Sequence, residues 1–191
     1  LGALPDGKRV SHLLGEEQGI AARAGDRVTR TFMFTDIVGS TPLVEALGDD
    51  AWQELIRWHD QTLRAIFNRY GGTEVRQTGD GFFVAFEDAS AAIEAAVAVQ
   101  RSLAEQRRGH GFALQVRIGL HETQASTRAI DFAGRGVHEA ARIGSLADGG
   151  QILASVDTVQ SAATRFSFSA PRSVTLKGVS QPVELVTIEW M

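Results

Sequence analysis

Between Ala51 and Tyr70 apolar side chains return every three or four positions, at Trp52, Leu55, Ile56, Leu63, Ile66, Phe67 and Tyr70, with His59 on the same stripe. That period predicts an amphipathic helix, and Gly71-Gly72 stops it. Before it, RTFMFTDIV reads as a strand, and Ser40-Thr41-Pro42 offers a hydroxyl cap and a first-turn proline for a short helix interrupted near Gly48. TEVRQT and GFFVAFED flank Gly79-Asp80 and predict a β-hairpin. Ala89 to about Arg107 predicts a second helix carried by Ile93, Ala96, Val97 and Leu103 and ended by GHG. FALQVRIGLHE is the next strand, GRGVHEAARIGSLADGG a third helix bounded by glycines, QILAS a strand and VDTVQSAA a short helix. FSFS, SVTLK and PVELVTIEW alternate weakly as two or three strands. The order is a βαββαβ core with an αβαββ extension, which predicts a ferredoxin-like α+β fold with its helices on one face of the sheet.

Residues 1–29 show no such period and mix Gly, Pro and charges, so they read as a linker or the tail of an upstream domain, leaving residues 30–191 as the folded unit. A hydrophobic fraction of 43% and a charged fraction of 22% over 191 residues suit one globular domain plus an appendage. With no apolar run of membrane-spanning length, no membrane span is expected. Nineteen basic against 23 acidic residues give a net charge of −4, which argues against nucleic acid or an anionic membrane surface as partner. The absence of cysteine excludes disulfides, thiolate zinc sites and a cysteine nucleophile, and allows an intracellular, cytoplasmic address.

Two aspartates stand where core-building does not call for them. Asp36 closes an apolar strand and precedes Ile37-Val38-Gly39-Ser40-Thr41 at a helix start, so backbone N–H groups face the same space as a carboxylate. Asp80 lies at the hairpin tip, which can reach the end of a neighbouring antiparallel strand. Two carboxylates beside N–H donors suit Mg²⁺ or Mn²⁺ carrying a polyphosphate, because hard cations take oxygen ligands and leave room for phosphate oxygens. The same residues also suit plainer duties, Asp36 as a helix cap and Asp80 as the turn residue of Gly-Asp-Gly, and spacing alone leaves both readings open.

In order along the chain, FTDIVGST (34–41), TGDGFFVAF (78–86), VRIGLH (116–121), IDFAGRGVHEAARI (130–143) and LKG (176–178) resemble the catalytic domain of class III nucleotidyl cyclases, over about Arg30 to Trp190. The likeness is strongest to bacterial, mycobacterial-type multidomain members, in which another domain precedes the cyclase. The resemblance implies conversion of ATP to 3′,5′-cyclic AMP and pyrophosphate by attack of the ribose 3′-oxygen on the α-phosphorus. It implies two divalent ions, Mg²⁺ or Mn²⁺, held at Asp36, Ile37 and Asp80, and backbone N–H groups of Ile37, Val38, Gly39 and Ser40 toward the β- and γ-phosphates.

It further implies a base-recognition pair. Asp131 accepts from the adenine amino group, and Arg76, with Gln77 beside it, stands at the place of the family's lysine. An acceptor facing guanine's carbonyl costs affinity, so ATP is favoured over GTP. The family's N-x-x-x-R transition-state pair reads here as His138 and Arg142, a departure at the first position, and Lys177 matches a lysine that meets the triphosphate. Because the family builds each site from two subunits, the resemblance implies a head-to-tail homodimer with two shared sites. Two other readings remain: an ATP-sensing module without turnover, suggested by Arg76 and His138, and a guanylyl cyclase.

Overall fold

The computed structural model describes residues 26–128, 131–162 and 166–191; most of the expected linker at residues 1–29 lies outside them. In chain order the elements are β1 (Arg27–Ile37), α1 (Ser40–Leu47), α2 (Asp49–Arg69), β2 (Thr73–Thr78), β3 (Gly81–Phe86), α3 (Ala89–His110), β4 (Val116–Arg128), β5 (Asp131–Ala133), α4 (Arg135–Leu146), β6 (Ile152–Ser155), α5 (Val156–Ser161), β7 (Arg172–Val174) and β8 (Val183–Thr187). They form one sheet in the order β2-β3-β1-β4-β6-β8-β7, with β5 folded onto β4. The β4–β6 pair is parallel and the other pairs are antiparallel.

Alternation along β1 divides its side chains between the two faces. Met33 and Ile37 pack with Leu63 and Phe67 of α2, Ile93, Val97 and Leu103 of α3, and Val159 of α5. Phe32 and Phe34 go to the other face and meet Val137 and Ala140 of α4. Further along α4, Ile143 and Ala147 pack with Leu153, Leu176 and Leu185. The helices therefore do not all share one face, as the sequence pattern suggested: α4 covers the second. The physical trace of this is β3, whose six residues are all buried, as a strand covered on both sides must be.

Several boundaries move. β4 begins at Val116, four residues after the apolar run opens at Phe112, and continues past the predicted end to Arg128. Gly39, with φ 70°, caps α1 in place of a hydroxyl, and no side chain bonds to the helix start. Asp88 does cap α3, accepting from the Ser90 N–H at 2.7 Å. The SVTLK segment pairs only through β7, its LKG end being a turn closed by the Val179 N–H donating to the Leu176 carbonyl at 3.0 Å. FSFS contributes a lone bridge from Phe168 to Ile188.

Two imidazoles lie in the interior. Burial pushes both His59 and His121 below the ordinary value of 6.5, against the opposing pull of Asp60 on the first and Glu139 on the second. His59 Nε2 has no hydrogen-bond partner, which adds to the cost of charging that ring. The unfolded chain takes up these protons near 6.5 and the folded chain only at lower pH. The unfolded state therefore binds more protons in the window below 6.5, and stability falls as the solution is acidified through it. The urea midpoint is expected to be lower near pH 5.5 than near pH 7.5, and a His59→Leu variant should show a smaller drop; equal drops would remove His59 from this account.

Candidate active site

Asp36 and Asp80 reach the same place because β1 and β3 run unusually close where they part. A Cβ on Gly81 would fall on the Thr35 carbonyl and against the Asp36 Cα, so only glycine permits this approach. The buried Thr35 hydroxyl then accepts from the Phe82 N–H at 3.0 Å, tying the strands just before the hairpin tip that carries Asp80. The hairpin tip brings Asp80 close enough to Asp36 to perturb its titration. Burial raises the Asp36 pKa above its ordinary 3.8, Asp80 raises it further through hydrogen bonding and like charge, and Arg117 opposes both.

Arg117 is the member of this site to which the sequence reading gave no role. Its Nε donates to Asp36 Oδ2 at 2.8 Å, its Nη2 to the same oxygen, and its Nη1 to the Ser145 carbonyl of α4 at 3.0 Å. A lone arginine inside the apolar run VRIGL was the available signal. Around this contact Phe34, Thr35, Asp36, Thr78 and Arg117, with Ala141, Gly144 and Ser145 of α4, line a cleft of about 160 Å³.

The stretch after Asp36 does not present an unbroken row of N–H donors. The Val38 N–H is spent on the Gln115 carbonyl at 2.8 Å, so it has no proton to offer a phosphate. In an antiparallel ladder that bond turns the polar backbone of the preceding residue, Ile37, away from β4 and toward the side of Asp80. β3 no longer covers that side, since the β1–β3 pairing ends at Phe34–Phe83. Gly39 and Ser40 form the uncapped start of α1.

The remaining predicted residues fall into two groups. Phe132, next to Asp131, packs edge-on against Phe32 at 5.2 Å, Phe32 meets Phe83 at 5.5 Å, and the Arg76 guanidinium lies 5.5 Å from the Phe83 ring centre. Arg76 thus sits at one end of an aromatic row on the α4 face, whereas Asp131, exposed and next to Phe132 on β5, accepts from the Phe132 N–H at 2.9 Å. Gln77 does not join that row. Its amide donates to Asp60 Oδ2 at 3.1 Å and accepts from Arg64 at 3.2 Å, which places it under α2 on the opposite face of the sheet. In the second group, the Arg142 guanidinium lies against Gly178, in the turn that exposes Lys177, and His138 stands exposed one turn earlier on α4.

Comparison with known proteins decides the family. The sequence model for the adenylate and guanylate cyclase catalytic domain matches residues 22–189. This chain belongs to that family. It is 35% identical over 157 residues to an adenylate cyclase of Mycosarcoma maydis, a match that covers 67% of this chain and 6% of that protein. Among solved structures it resembles the adenylyl cyclase CyaB from P. aeruginosa, with 26% identity, TM-score 0.75 and coverage of 86% of this chain and 95% of that one. It also resembles the guanylyl cyclase Cya2, with 27% identity, TM-score 0.77 and coverage of 86% and 93%. The chain spans only a small part of the length of the curated relatives it matches first.

Cyclase domains of this family generally require a metal, and the residues here suit a hard one. Asp36, Asp80 and the Ile37 carbonyl are oxygen donors, and no cluster of three or more His, Cys, Asp or Glu converges among the described residues. Oxygen donors of this kind fit Mg²⁺ or Mn²⁺, which keep positions for water and phosphate oxygens. Arg117 provides the counter-charge to Asp36 in the protein alone. Among the described residues, no helix is long and apolar enough to cross a membrane.

Proposed function

We propose that this cyclase domain makes 3′,5′-cyclic AMP and pyrophosphate from ATP, at sites shared by two head-to-tail copies. The observation that carries the reading is the convergence of Asp36 and Asp80 beside the uncapped start of α1. The need for two copies is supported by size. The cleft at Asp36 holds about 160 Å³, less than the roughly 300–1,000 Å³ of small-molecule pockets, because α4 of the same chain closes it. Arg142 and Lys177 gather at the Gly178 turn, and a second copy would bring them to a triphosphate seated on the first.

Bound divalent ions would supply the charge that makes the 3′-hydroxyl more acidic and neutralises the phosphates. Asp36, Asp80 and the Ile37 carbonyl would hold them. The Gly39 and Ser40 N–H groups would donate to phosphate oxygens, as a helix start does for anions. From the partner copy, Asp131 would accept from the adenine amino group and Arg76 would donate to a ring nitrogen, while Arg142 and Lys177 offset charge on the phosphates and His138 donates to the ribose. Asp131 favours adenine over guanine, since facing the guanine carbonyl it would leave two acceptors unpaired. A place in the cytoplasm, within a multidomain protein of mycobacterial type, belongs to the same reading.

The test is turnover. Wild-type protein with Mn²⁺ or Mg²⁺ and ATP is expected to release cyclic AMP, and Asp80→Ala to lose at least roughly a hundredfold in rate. ATP binding by calorimetry without turnover would select a nucleotide-sensing module, and faster turnover of GTP a guanylyl cyclase.

A further inference from the structure

Resting on the cyclase reading of α4, we propose that the buried contact between Glu139 and His121 fixes the position of α4 along β4, making both of them positioning residues for His138 and Arg142. The closest approach of α4 to the strand is made by small residues, with Val137 and Ile143 buried beside them. Gly136, Ala140 and Gly144 recur at four-residue spacing. A Cβ on Gly119 of β4 would overlap the Gly144 backbone, and one on Gly136 would strike the Thr123 side chain. Contact through such small residues brings helix and strand close, but it presents few ridges to resist sliding along the strand.

Two polar contacts among the described residues cross this surface. One is the half-exposed bond from Arg117 to the Ser145 carbonyl near the end of α4. The other lies in the interior. Glu139 Oε2 is 3.4 Å from His121 Nε2, and His121 Nδ1 is 2.8 Å from the Ser155 hydroxyl. Ser155 is 2.8 Å from the Thr158 hydroxyl, which accepts from the Glu122 N–H at 2.8 Å. On its outer side Glu139 accepts from Arg135 Nε at 2.7 Å. Glu139, His121, Ser155 and Thr158 are all buried, so water cannot replace a lost partner freely. The chain of bonds runs from α4 through β4 to the β6–α5 junction. It ends in the backbone of β4 itself, whose ladder is continuous with β1.

The position of Glu139 in the helix gives the pin its leverage. It follows His138 directly and precedes Arg142 by three residues, so a slip or roll of α4 displaces both. Glu139→Gln can keep every bond: its carbonyl accepts from Arg135 and its amide donates to His121, which shifts tautomer and donates to Ser155 instead. Glu139→Leu keeps the bulk and removes the bonds.

Three variants test the proposal with Mn²⁺-ATP as substrate. Glu139→Leu is expected to lower kcat by roughly ten- to a hundredfold while KM for ATP changes less than about threefold, and Glu139→Gln to restore kcat to within about threefold of wild type. Should Glu139→Leu not fold, Ser155→Ala decides, with a several-fold lower kcat at constant KM expected. Unchanged kcat in a folded Glu139→Leu or Ser155→Ala protein overturns the proposal, as does a Glu139→Gln no better than Glu139→Leu. A second readout needs no turnover: amide hydrogen exchange across residues 135–146 should be faster in Glu139→Leu, or in Ser155→Ala, than in wild type at matched global stability. Equal exchange overturns the pin even in an active enzyme. A wild type without turnover, but with the expected exchange difference, overturns the cyclase reading alone.

Discussion

Purified Asp36→Ala and Arg142→Ala proteins, each inactive alone, are expected to regain about a quarter of wild-type cyclic AMP formation when mixed in equal amounts. In a hybrid pair the Asp36→Ala copy still offers its Arg142, and the Arg142→Ala copy still offers its Asp36. One of the two shared sites is therefore whole and the other is broken twice. Random exchange makes about half the dimers hybrid, and half of their sites work. The structural basis is that Ala141, Gly144 and Ser145 of the same chain's α4 close the Asp36 cleft, while the Arg142 guanidinium is turned to Gly178. A mixture that stays inactive while sizing shows dimers would mean that the sites are not shared.

Gly81→Ala is expected to act on stability and site together. The added methyl meets the Thr35 carbonyl, which is backbone and cannot swing aside, so β3 must draw back from β1. Overpacking of this kind costs about 1–3 kcal/mol, read as a lower urea midpoint. The same retreat breaks the Phe82 N–H bond to Thr35 and separates Asp80 from Asp36. Mn²⁺ affinity measured by calorimetry should therefore fall as well. A variant with lowered stability but undiminished Mn²⁺ binding would show that the glycine serves packing alone.

Much of this architecture could be read from residue patterns because the forces that write it are local. The α2 stripe, the Asp80 hairpin and the α3 face appear where period and glycine punctuation place them. The boundaries that moved did so for reasons outside the local window. β4 outruns its apolar stretch because β1 and β5 supply partners for Gln124 to Arg128 whatever their polarity.

The pair Arg76 and Gln77 shows the limit within the site. Neighbours on a strand point to opposite faces, so at most one of them could meet a base. Counting from Glu74, which binds Arg64 under α2, simple alternation would send Arg76 under the helix and Gln77 to the α4 face. The structure does the reverse because the pairing of β2 with β3 slips between Glu74 and Arg76. A bulge re-aims every side chain beyond it and leaves no mark in composition.

What the order of residues determined on its own was the set of elements and the residue types able to grip a metal and a nucleotide, since period, turn chemistry and charge act over a few positions. What tertiary structure alone decided was which of those groups meet. It laid α4 on the second face, set Arg117 on Asp36, turned the Val38 N–H to Gln115 and joined Glu139 to His121. Each of these contacts spans residues far apart in the chain, and their closeness follows from packing and register, which no short stretch of sequence encodes.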